Sequence, residues 1–357
     1  MRKQVATLDF SGQTIICGID THKKDWKVCV RDDEFEHRTF SVPPTGKVLA
    51  EYLKRTYPSA TYKCVYEAGF AGFVPYRELQ EQGIECLVVH PADVPTADKE
   101  RKHKSDIVDC RKLARSLCKG EIAGIYVPSL KNVEDRNLVR CRSQLVIDQT
   151  RYKNRIKSML FSHGIIIPAD CNKGSSWSSR FISWLKKLHF ENPSVRQSLD
   201  LLLEGYGQAR NQILQATKML RKMASESYYQ PSVSLLRSIP GIGLINALIL
   251  ITEIENIHRF KSVDRLCGYC GLVPDVYGSG DKEYIKGITS RGNANIRNAI
   301  IESSWQIIRK EPALLMAYKK YCNRMVPNKA IIKIGRKLVA RIRYVLVHKT
   351  PYQIGKT

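Results

Sequence analysis

The order of strand and helix patterns in residues 14–128 is the feature that most constrains the fold. Three strand patterns come first: TIICGID, WKVCVRD and FEHRTFSV. A helix with Thr45 as N-cap, a strand (TYKCVYEAG), a helix (VPYRELQEQG), a strand (ECLVVHP) and a helix capped by Ser105 follow. This order predicts an α/β domain, in which helices pack on a mixed sheet that begins as an antiparallel meander.

Residues 129–225 have a helical pattern and predict a long helical linker. Its second half carries two apolar heptad positions, one filled by Leu199, Tyr206, Ile213 and Leu220, and the other by Leu202, Ala209, Ala216 and Met223. Such a pattern is typical of a coiled-coil seam. Two interpretations stay open, a helical hairpin within one chain and a contact between two subunits.

Residues 226–357 predict a third, mostly helical domain. The stretch SIPGIG lies between two helical patterns and predicts a helix-hairpin-helix, whose Gly241 and Gly243 would present backbone N–H groups to a phosphate. The alternative is a plain turn between core helices. The later stretch VYGSGDKEYIKGITSRGN predicts a loop or an irregular hairpin.

The last long helix pattern, residues 329–349, is strongly basic. We expect its apolar stripe to pack inward and its basic side chains to face outward toward nucleic acid, namely Lys333, Arg336, Lys337, Arg341 and Arg343. The CGYC stretch at 267–270 has the spacing of a redox or zinc motif but no second pair, so we expect both cysteines to be core residues.

The charge balance indicates a polyanionic partner. The chain has 357 residues with 58 Lys and Arg against 34 Asp and Glu, a formal charge of +24. This excess favours nucleic acid, without distinguishing DNA from RNA. We expect no signal peptide and no membrane span, because no apolar run approaches the required length. Eleven scattered cysteines predict a reduced, cytosolic protein.

Four acids lie at the ends of the predicted elements of the first domain. Asp20 ends the first strand pattern, Glu67 ends the fourth, and Asp106 and Asp109 share a face at the start of the next helix. If these carboxylates converge, they repel one another unless cations lie among them, and Mg²⁺ (or Mn²⁺) suits such oxygen ligands. Two ions could then assist a phosphoryl displacement. The alternative is four solvated residues at element ends.

Three stretches of this region, CGIDTHKKDWKVCV, YEAGFAG and KSDIVDCRKLA, resemble the DEDD transposases of the insertion-sequence 110/1111 family. The resemblance implies a RuvC-like domain of the ribonuclease H fold, with Asp20, Glu67, Asp106 and Asp109 as its catalytic metal ligands. Near the other end, GYCGLVPDVYGSGDKEYIKGITSRGNANIRNAIIESS resembles the serine transposase domain of that family.

This second resemblance implies that Ser279 attacks DNA and forms a covalent phosphoserine link. From the residues alone a flexible turn is the better interpretation. The sequence departs from the family pattern at Gly278, where serine is common, and at Asp281, where glycine is common. Tyr277 and Ser290 are lesser candidates. The nearby cations Lys282, Lys286 and Arg291 could neutralise phosphates.

Together the resemblances imply a site-specific transposase or recombinase that binds element ends and target DNA. They also imply a guide RNA encoded by the element, a dimer or tetramer, and a composite site shared between subunits, in a bacterial or archaeal cell with nucleoid association. Two alternatives remain open. One is a metal-dependent junction resolvase in which water attacks the phosphate, and the other is a nucleic-acid-binding protein without catalysis.

Overall fold

The chain divides into two compact units, residues 1–127 and 128–357, each with its own core. The computed structural model describes residues 9–95, 105–172, 177–279 and 282–355, with the backbone alone at 172, 276–279, 282–283 and 285–286. None of the helices in these ranges is both long and apolar enough to cross a membrane. The division of the second unit into a linker and a third domain stays a prediction.

The first unit contains a five-stranded mixed sheet, as the order of patterns predicted. Its strands are β1 (Thr14–Thr21), β2 (Trp26–Arg31), β3 (Glu36–Val42), β4 (Thr61–Glu67) and β5 (Glu85–Val89). Their order in space is β3-β2-β1-β4-β5. The first three strands form an antiparallel meander, and β4 and β5 are parallel to β1. Because β1 lies in the middle, it is apolar on both faces.

Within residues 9–95 and 105–127, three helices cover the two faces of this sheet: α1 (Gly46–Thr56), α2 (Val74–Glu81) and α3 (Asp106–Cys118). Thr45 and Ser105 cap α1 and α3 as predicted, each accepting a hydrogen bond from a backbone N–H three residues on. Alternate residues of β1 take opposite sides. Ile15, Cys17 and Ile19 join the core with α1 and α2, whereas Ile16 packs with Cys110 and Ala114 of α3.

Gly18 lies on the α3 side of β1 and allows the helix to approach the strand. A Cβ at this position would overlap the carbonyl oxygen of Cys110 and the backbone nitrogen of Ala114. Both atoms belong to the helix backbone, so no side-chain rotation can relieve the overlap. The glycine is therefore required for α3 to pack directly on the central strand.

In its described residues, the second unit consists of helices and one hairpin. Its helices are α4 (Leu130–Ser162), α5 (Ala169–Asn172), α6 (Ser179–Lys187), α7 (Pro193–Ala224), α8 (Gln230–Arg237), α9 (Leu244–Ile254), α10 (Val263–Tyr269), α11 (Ala294–Ile307), α12 (Pro312–Cys322) and α13 (Pro327–His348). The antiparallel strands β6 (Pro274–Ser279) and β7 (Lys282–Ile288) form the hairpin. Helices α6 and α12 were not predicted from the sequence.

The two longest helices, α4 and α7, pack against each other within the chain. Most of the heptad residues of α7 are buried, at positions 199, 206, 209, 216, 220 and 223. Leu199 and Tyr206 share a core with Ile156 and Leu160 of α4. The heptad pattern thus marks an intrachain helical hairpin, and the predicted contact between subunits stays a prediction.

The C-terminal helices enclose one large core. The apolar stripe of α13 lies in it as predicted, with Ile331, Ile334, Leu338, Ile342 and Val345 all buried. The prediction for the CGYC stretch is also confirmed, because Cys267 and Cys270 are buried, free cysteines of the same core. Burial raises the pKa of both thiols, which disfavours the reactive thiolate.

A buried carboxylate joins α4, α9 and the start of α11. The Glu253 side chain has no exposed surface, and Arg140 donates to both of its oxygens at 2.7 and 2.8 Å. Asn293, the N-cap of α11, donates a third hydrogen bond at 2.7 Å. Burial by itself would raise the pKa of Glu253, but these hydrogen bonds and the charge of Arg140 outweigh it and lower the pKa.

We expect Gly18→Ala to destabilise the first unit by about 1–3 kcal/mol or more, because the added methyl group meets helix backbone. Thermal or denaturant unfolding measures the loss. Gly69→Ala is the control, since an added Cβ there meets nothing closer than 3.9 Å. An equal, small effect of both substitutions would contradict the packing argument.

We expect Arg140→Ala to destabilise the second unit by roughly 3 kcal/mol, because it leaves a buried carboxylate with weaker compensation. The expected value is at the lower end of the range for broken buried pairs, because Arg136 lies 3.7 Å from Glu253. Arg151→Ala on the same helix removes an exposed pair with Asp148 and should change stability by less than about 1 kcal/mol. Denaturant unfolding of both variants compares the two losses.

Candidate functional site

The four predicted acids lie at one edge of the first unit's sheet. Asp20 is the penultimate residue of β1 and Glu67 ends β4, while Asp106 and Asp109 are in the first turn of α3. Ile19 pairs with Tyr66 between the parallel strands, so Asp20 and Glu67 follow in the same register.

Both strand acids lie on the face that α3 covers. On β1 the even-numbered Ile16 packs with α3, and Asp20 has the same parity. On β4 Tyr66 lies in the core on the α1 side, whereas Val65 packs with Leu113 of α3. Glu67 shares the parity of Val65. The strand period of two therefore directs both carboxylates toward the start of α3, where the other two acids lie.

His22 joins two of the acids. Its Nε2 atom lies 3.2 Å from Asp20 Oδ2 and 3.4 Å from Asp106 Oδ2. One ligand atom from each of these three residues lies within 4.8 Å of the others, a spacing that suits a bound cation. Sequence reasoning missed His22. The available clue was its position two residues after Asp20, where a strand that continued would place it on the same face.

Lys112 joins the other two acids. Its Nζ atom lies 3.2 Å from Asp109 Oδ1 and 3.7 Å from Glu67 Oε1, and its side chain is only 9% exposed. A lysine this buried is unusual unless it is paired with acids. Sequence reasoning did not single out this residue. Its spacing of three from Asp109 on a helix was the clue that the two share a face.

The electrostatics of the site favour a cation at Asp20. Partial burial raises the pKa of this carboxyl, the charge of His22 lowers it, and the charges of Asp106 and Asp109 raise it further, with a net increase. Two carboxylates with an imidazole form a donor set that fits Mg²⁺ through oxygen, and Mn²⁺ through oxygen and nitrogen. The residues present therefore fit the divalent ion that the sequence predicted.

The hairpin β6–β7 carries the predicted serine. Ser279 is the last residue of β6 and pairs with Lys282, the first of β7. The side chains of Ser279, Lys282 and Lys286 lie outside the described part of the chain, as does all of Asp281. The predicted roles of these residues therefore stay predictions. Arg291 and Ser290, which follow the hairpin, are exposed.

The predicted helix-hairpin-helix consists of α8, a turn and α9. Gly243 is the exposed N-cap of α9 and, as a glycine, has no side chain that could cap this helix start. Gly241 has φ +93°, and a Cβ there would meet the backbone of Ser303 and Ile307 on α11. Packing therefore accounts for Gly241, while Gly243 presents the open helix N-terminus that was predicted to meet a phosphate.

The basic face of α13 differs from the prediction. Lys333 and Lys337 are exposed as expected. Arg341 instead points into the protein, where it donates to Glu311 at 2.9 Å and to the Tyr352 hydroxyl at 3.0 Å. The prediction failed because helix periodicity alone did not reveal the buried carboxylate of Glu311.

The two remaining arginines of α13 also make contacts within the fold. Arg336 donates to Asp264 and to the Leu272 carbonyl, and Arg343 donates to the Phe260 carbonyl. Of the five cations predicted to face outward, the two lysines are thus the ones left with exposed side chains that could meet a polyanion.

Family comparisons agree for both ends of the chain. A family model described as the transposase IS116/IS110/IS902 family matches residues 233–319. A second family model, DEDD_Tnp_IS110, described as a transposase, matches residues 17–164. The second match includes all four acids of the site, and the first includes the hairpin with Ser279.

Curated relatives include transposases from several bacteria. A putative transposase y4qE of Sinorhizobium fredii is 31% identical over 68% of this chain and 58% of its own length. A putative transposase y4rJ of the same organism is 30% identical over 79% of this chain and 76% of its own length. The transposase for insertion sequence element IS1111A of Coxiella burnetii is 23% identical over 95% and 92%. The chain thus spans less than two thirds of the first of these relatives.

We expect Asp20→Asn to raise the thermal unfolding temperature by a few degrees in EDTA at pH 7. The pKa of Asp20 is raised in the folded chain. The protonated Asp20 carboxyl therefore stabilises the fold at a pH below its ordinary pKa, and this stabilisation is lost as the pH rises through the raised pKa. At pH 7 the ionised carboxylate is therefore less favourable folded than unfolded, and the amide removes this cost.

Differential scanning fluorimetry with and without Mn²⁺ checks this expectation. The ion should stabilise the wild-type chain and have little effect on Asp20→Asn. Asp93→Asn, an exposed acid after β5, serves as the control and should respond to Mn²⁺ like the wild type. Destabilisation by Asp20→Asn in EDTA would contradict the assigned electrostatics.

Proposed function

Because this chain belongs to the IS116/IS110/IS902 family of transposases, we propose that it cuts and rejoins DNA as the site-specific recombinase of an insertion sequence. The observation that carries the proposal is a cluster of acids at one sheet edge, namely Asp20, Glu67, Asp106 and Asp109. All four lie within residues 17–164, which the second family model, DEDD_Tnp_IS110, matches. Family membership alone would be compatible with an inactive copy, whereas these acids are present and gathered.

The proposed reaction is a pair of transesterifications at phosphorus. The Ser279 hydroxyl attacks a phosphodiester, so that a bond forms between Oγ and phosphorus while a bond from phosphorus to a deoxyribose oxygen breaks. The hydroxyl loses its proton and the departing oxygen gains one. A hydroxyl at another DNA end then attacks the phosphoserine, and the bond between phosphorus and Oγ breaks. The resemblance of the hairpin region to the serine transposase domain supports this role.

The acid cluster contributes to the same chemistry. Asp20 and Asp106, with the carboxylates of Asp109 and Glu67 nearby, would hold a divalent ion, which when bound supplies Lewis acidity toward phosphate oxygens. The residues themselves orient this site: α3 fixes two of the acids, and the His22 ring and the Lys112 ammonium each contact two of the four carboxylates. Folding therefore establishes the arrangement before substrate binds.

The proposed partners are DNA and a guide RNA. The formal charge of +24 supports a large polyanionic surface contact, and the open N-terminus of α9 with Lys333 and Lys337 supports backbone contacts in the second unit. Sequence selection would then rest on base pairing by the RNA, with the protein contacting backbones. Resemblance to the family supports the RNA and the dimeric or tetrameric assembly.

We expect Ser279→Ala to abolish a covalent protein–DNA adduct. The purified chain, with RNA transcribed from the element's noncoding end and labelled element-end DNA, is denatured and resolved by gel electrophoresis. Ser290→Ala changes an exposed serine eleven residues further on and should retain the adduct.

The alternatives predict other results in this assay. If water is the nucleophile, as in a resolvase, Ser279→Ala retains cleavage and no chain forms an adduct. If the protein only binds nucleic acid, recombination in cells persists in a chain that carries both Asp106→Ala and Asp109→Ala. Retained adduct formation in Ser279→Ala would reject the assigned nucleophile.

A further inference from the structure

The acid site contains two different halves. In one half, the His22 ring lies against Asp20 and Asp106, at 3.2 and 3.4 Å. In the other half, the Lys112 ammonium lies against Asp109 and Glu67, at 3.2 and 3.7 Å. An imidazole can lose its proton and become a metal ligand, whereas an ammonium is a donor only and has no lone pair for a metal.

Lys112 is held in its place by the fold. Its side chain is only 9% exposed. It projects from the middle of α3, and the backbone of this helix packs on β1 at Gly18. If the Lys112 ammonium moved into solvent, it would lose its contacts with the carboxylates of Glu67 and Asp109. A divalent ion bound between Glu67 and Asp109 would lie close to this fixed positive charge and be repelled by it.

We propose that Lys112 is the resident second cation of this site, so that the chain binds one divalent ion, on the side of Asp20, Asp106 and His22. Lys112 acts as a positioning residue that neutralises Glu67 and Asp109 and keeps them in the cluster without a metal. This inference rests on the proposed function, since it takes the acid site to be a metal site. It revises the sequence-based expectation that two ions could share the four acids.

The arrangement explains why four acids at one edge are tolerated. Two unpartnered carboxylate pairs would repel each other strongly. With Lys112 in place, the half that contains Glu67 and Asp109 is compensated permanently. The other half depends on His22 and on the bound ion, and it contains Asp106, which is 53% exposed and therefore accessible to an ion from solvent.

Counting bound Mn²⁺ on the full-length chain tests the proposal without any nucleic acid. Isothermal titration calorimetry and the electron paramagnetic resonance signal of free Mn²⁺ give the stoichiometry and Kd. We expect one ion per wild-type chain, one for Lys112→Arg, and two for Lys112→Met, which keeps the side-chain volume and removes the charge. Lys119→Met removes an exposed lysine from the end of the same helix and should leave one ion.

Acid variants provide a readout that does not depend on the folding of Lys112→Met. Asp20→Asn should abolish measurable Mn²⁺ binding. Glu67→Gln should weaken it by at most about 10–100-fold, the loss typical of a group outside the ligand set. Loss of binding in Glu67→Gln comparable to that in Asp20→Asn would overturn the proposal.

The remaining outcomes separate this inference from the proposed function. Two ions on the wild-type chain, or a folded Lys112→Met that still binds one, would reject the role of Lys112 and leave the metal site standing. No binding to the wild-type chain would reject the metal site itself, and the inference with it. Adduct formation by Ser279 is measured separately and would be unaffected by the first of these results.

Discussion

The direct packing of α3 on β1 is the contact on which the site depends. Gly18 has no side chain, so the backbone of the helix reaches the central strand at Cys110 and Ala114. This close approach places the first turn of α3 beside the carboxyl ends of β1 and β4. The helix therefore places Asp106 and Asp109 beside two acids that lie far away in the sequence.

The net charge of the whole chain and the local charge of the acid site have opposite signs. The whole chain carries a formal charge of +24, which favours the approach of polyanions over long distances. The acid site is locally negative, and Lys112 compensates part of its charge. The proposed attraction of phosphates and the proposed binding of a cation are compatible, because salt screening limits the electric field of the acids to their immediate surroundings.

In the second unit, buried polar contacts join helices to one another. Glu253 joins two helices to the N-cap of α11, immediately after the hairpin that contains Ser279. Arg341 and Glu311 join α13 to the segment before α12 in the same way. Removing one partner of such a pair is costly, because it leaves an uncompensated charge in the protein interior. The base of the hairpin is consequently anchored on one side by a rigid network.

The sequence by itself determined the strands, most of the helices, the two confirmed caps and the identity of the four acids. These follow from local rules: hydrophobic period, capping chemistry and the chain order of elements. The sequence also marked a heptad seam and a basic C-terminal helix, but it left their partners open. What it lacked in each case was the identity of the group on the facing element.

Tertiary structure decided those partners. Only the packed fold placed His22 and Lys112 among the acids, turned Arg341 inward onto Glu311, and assigned the heptad face of α7 to α4 in the same chain. Periodicity specifies which side of an element is apolar, whereas the charge that meets a given cation depends on residues tens of positions away. The sequence therefore predicted the four acids of the site, whereas only the fold added His22 and Lys112 to them.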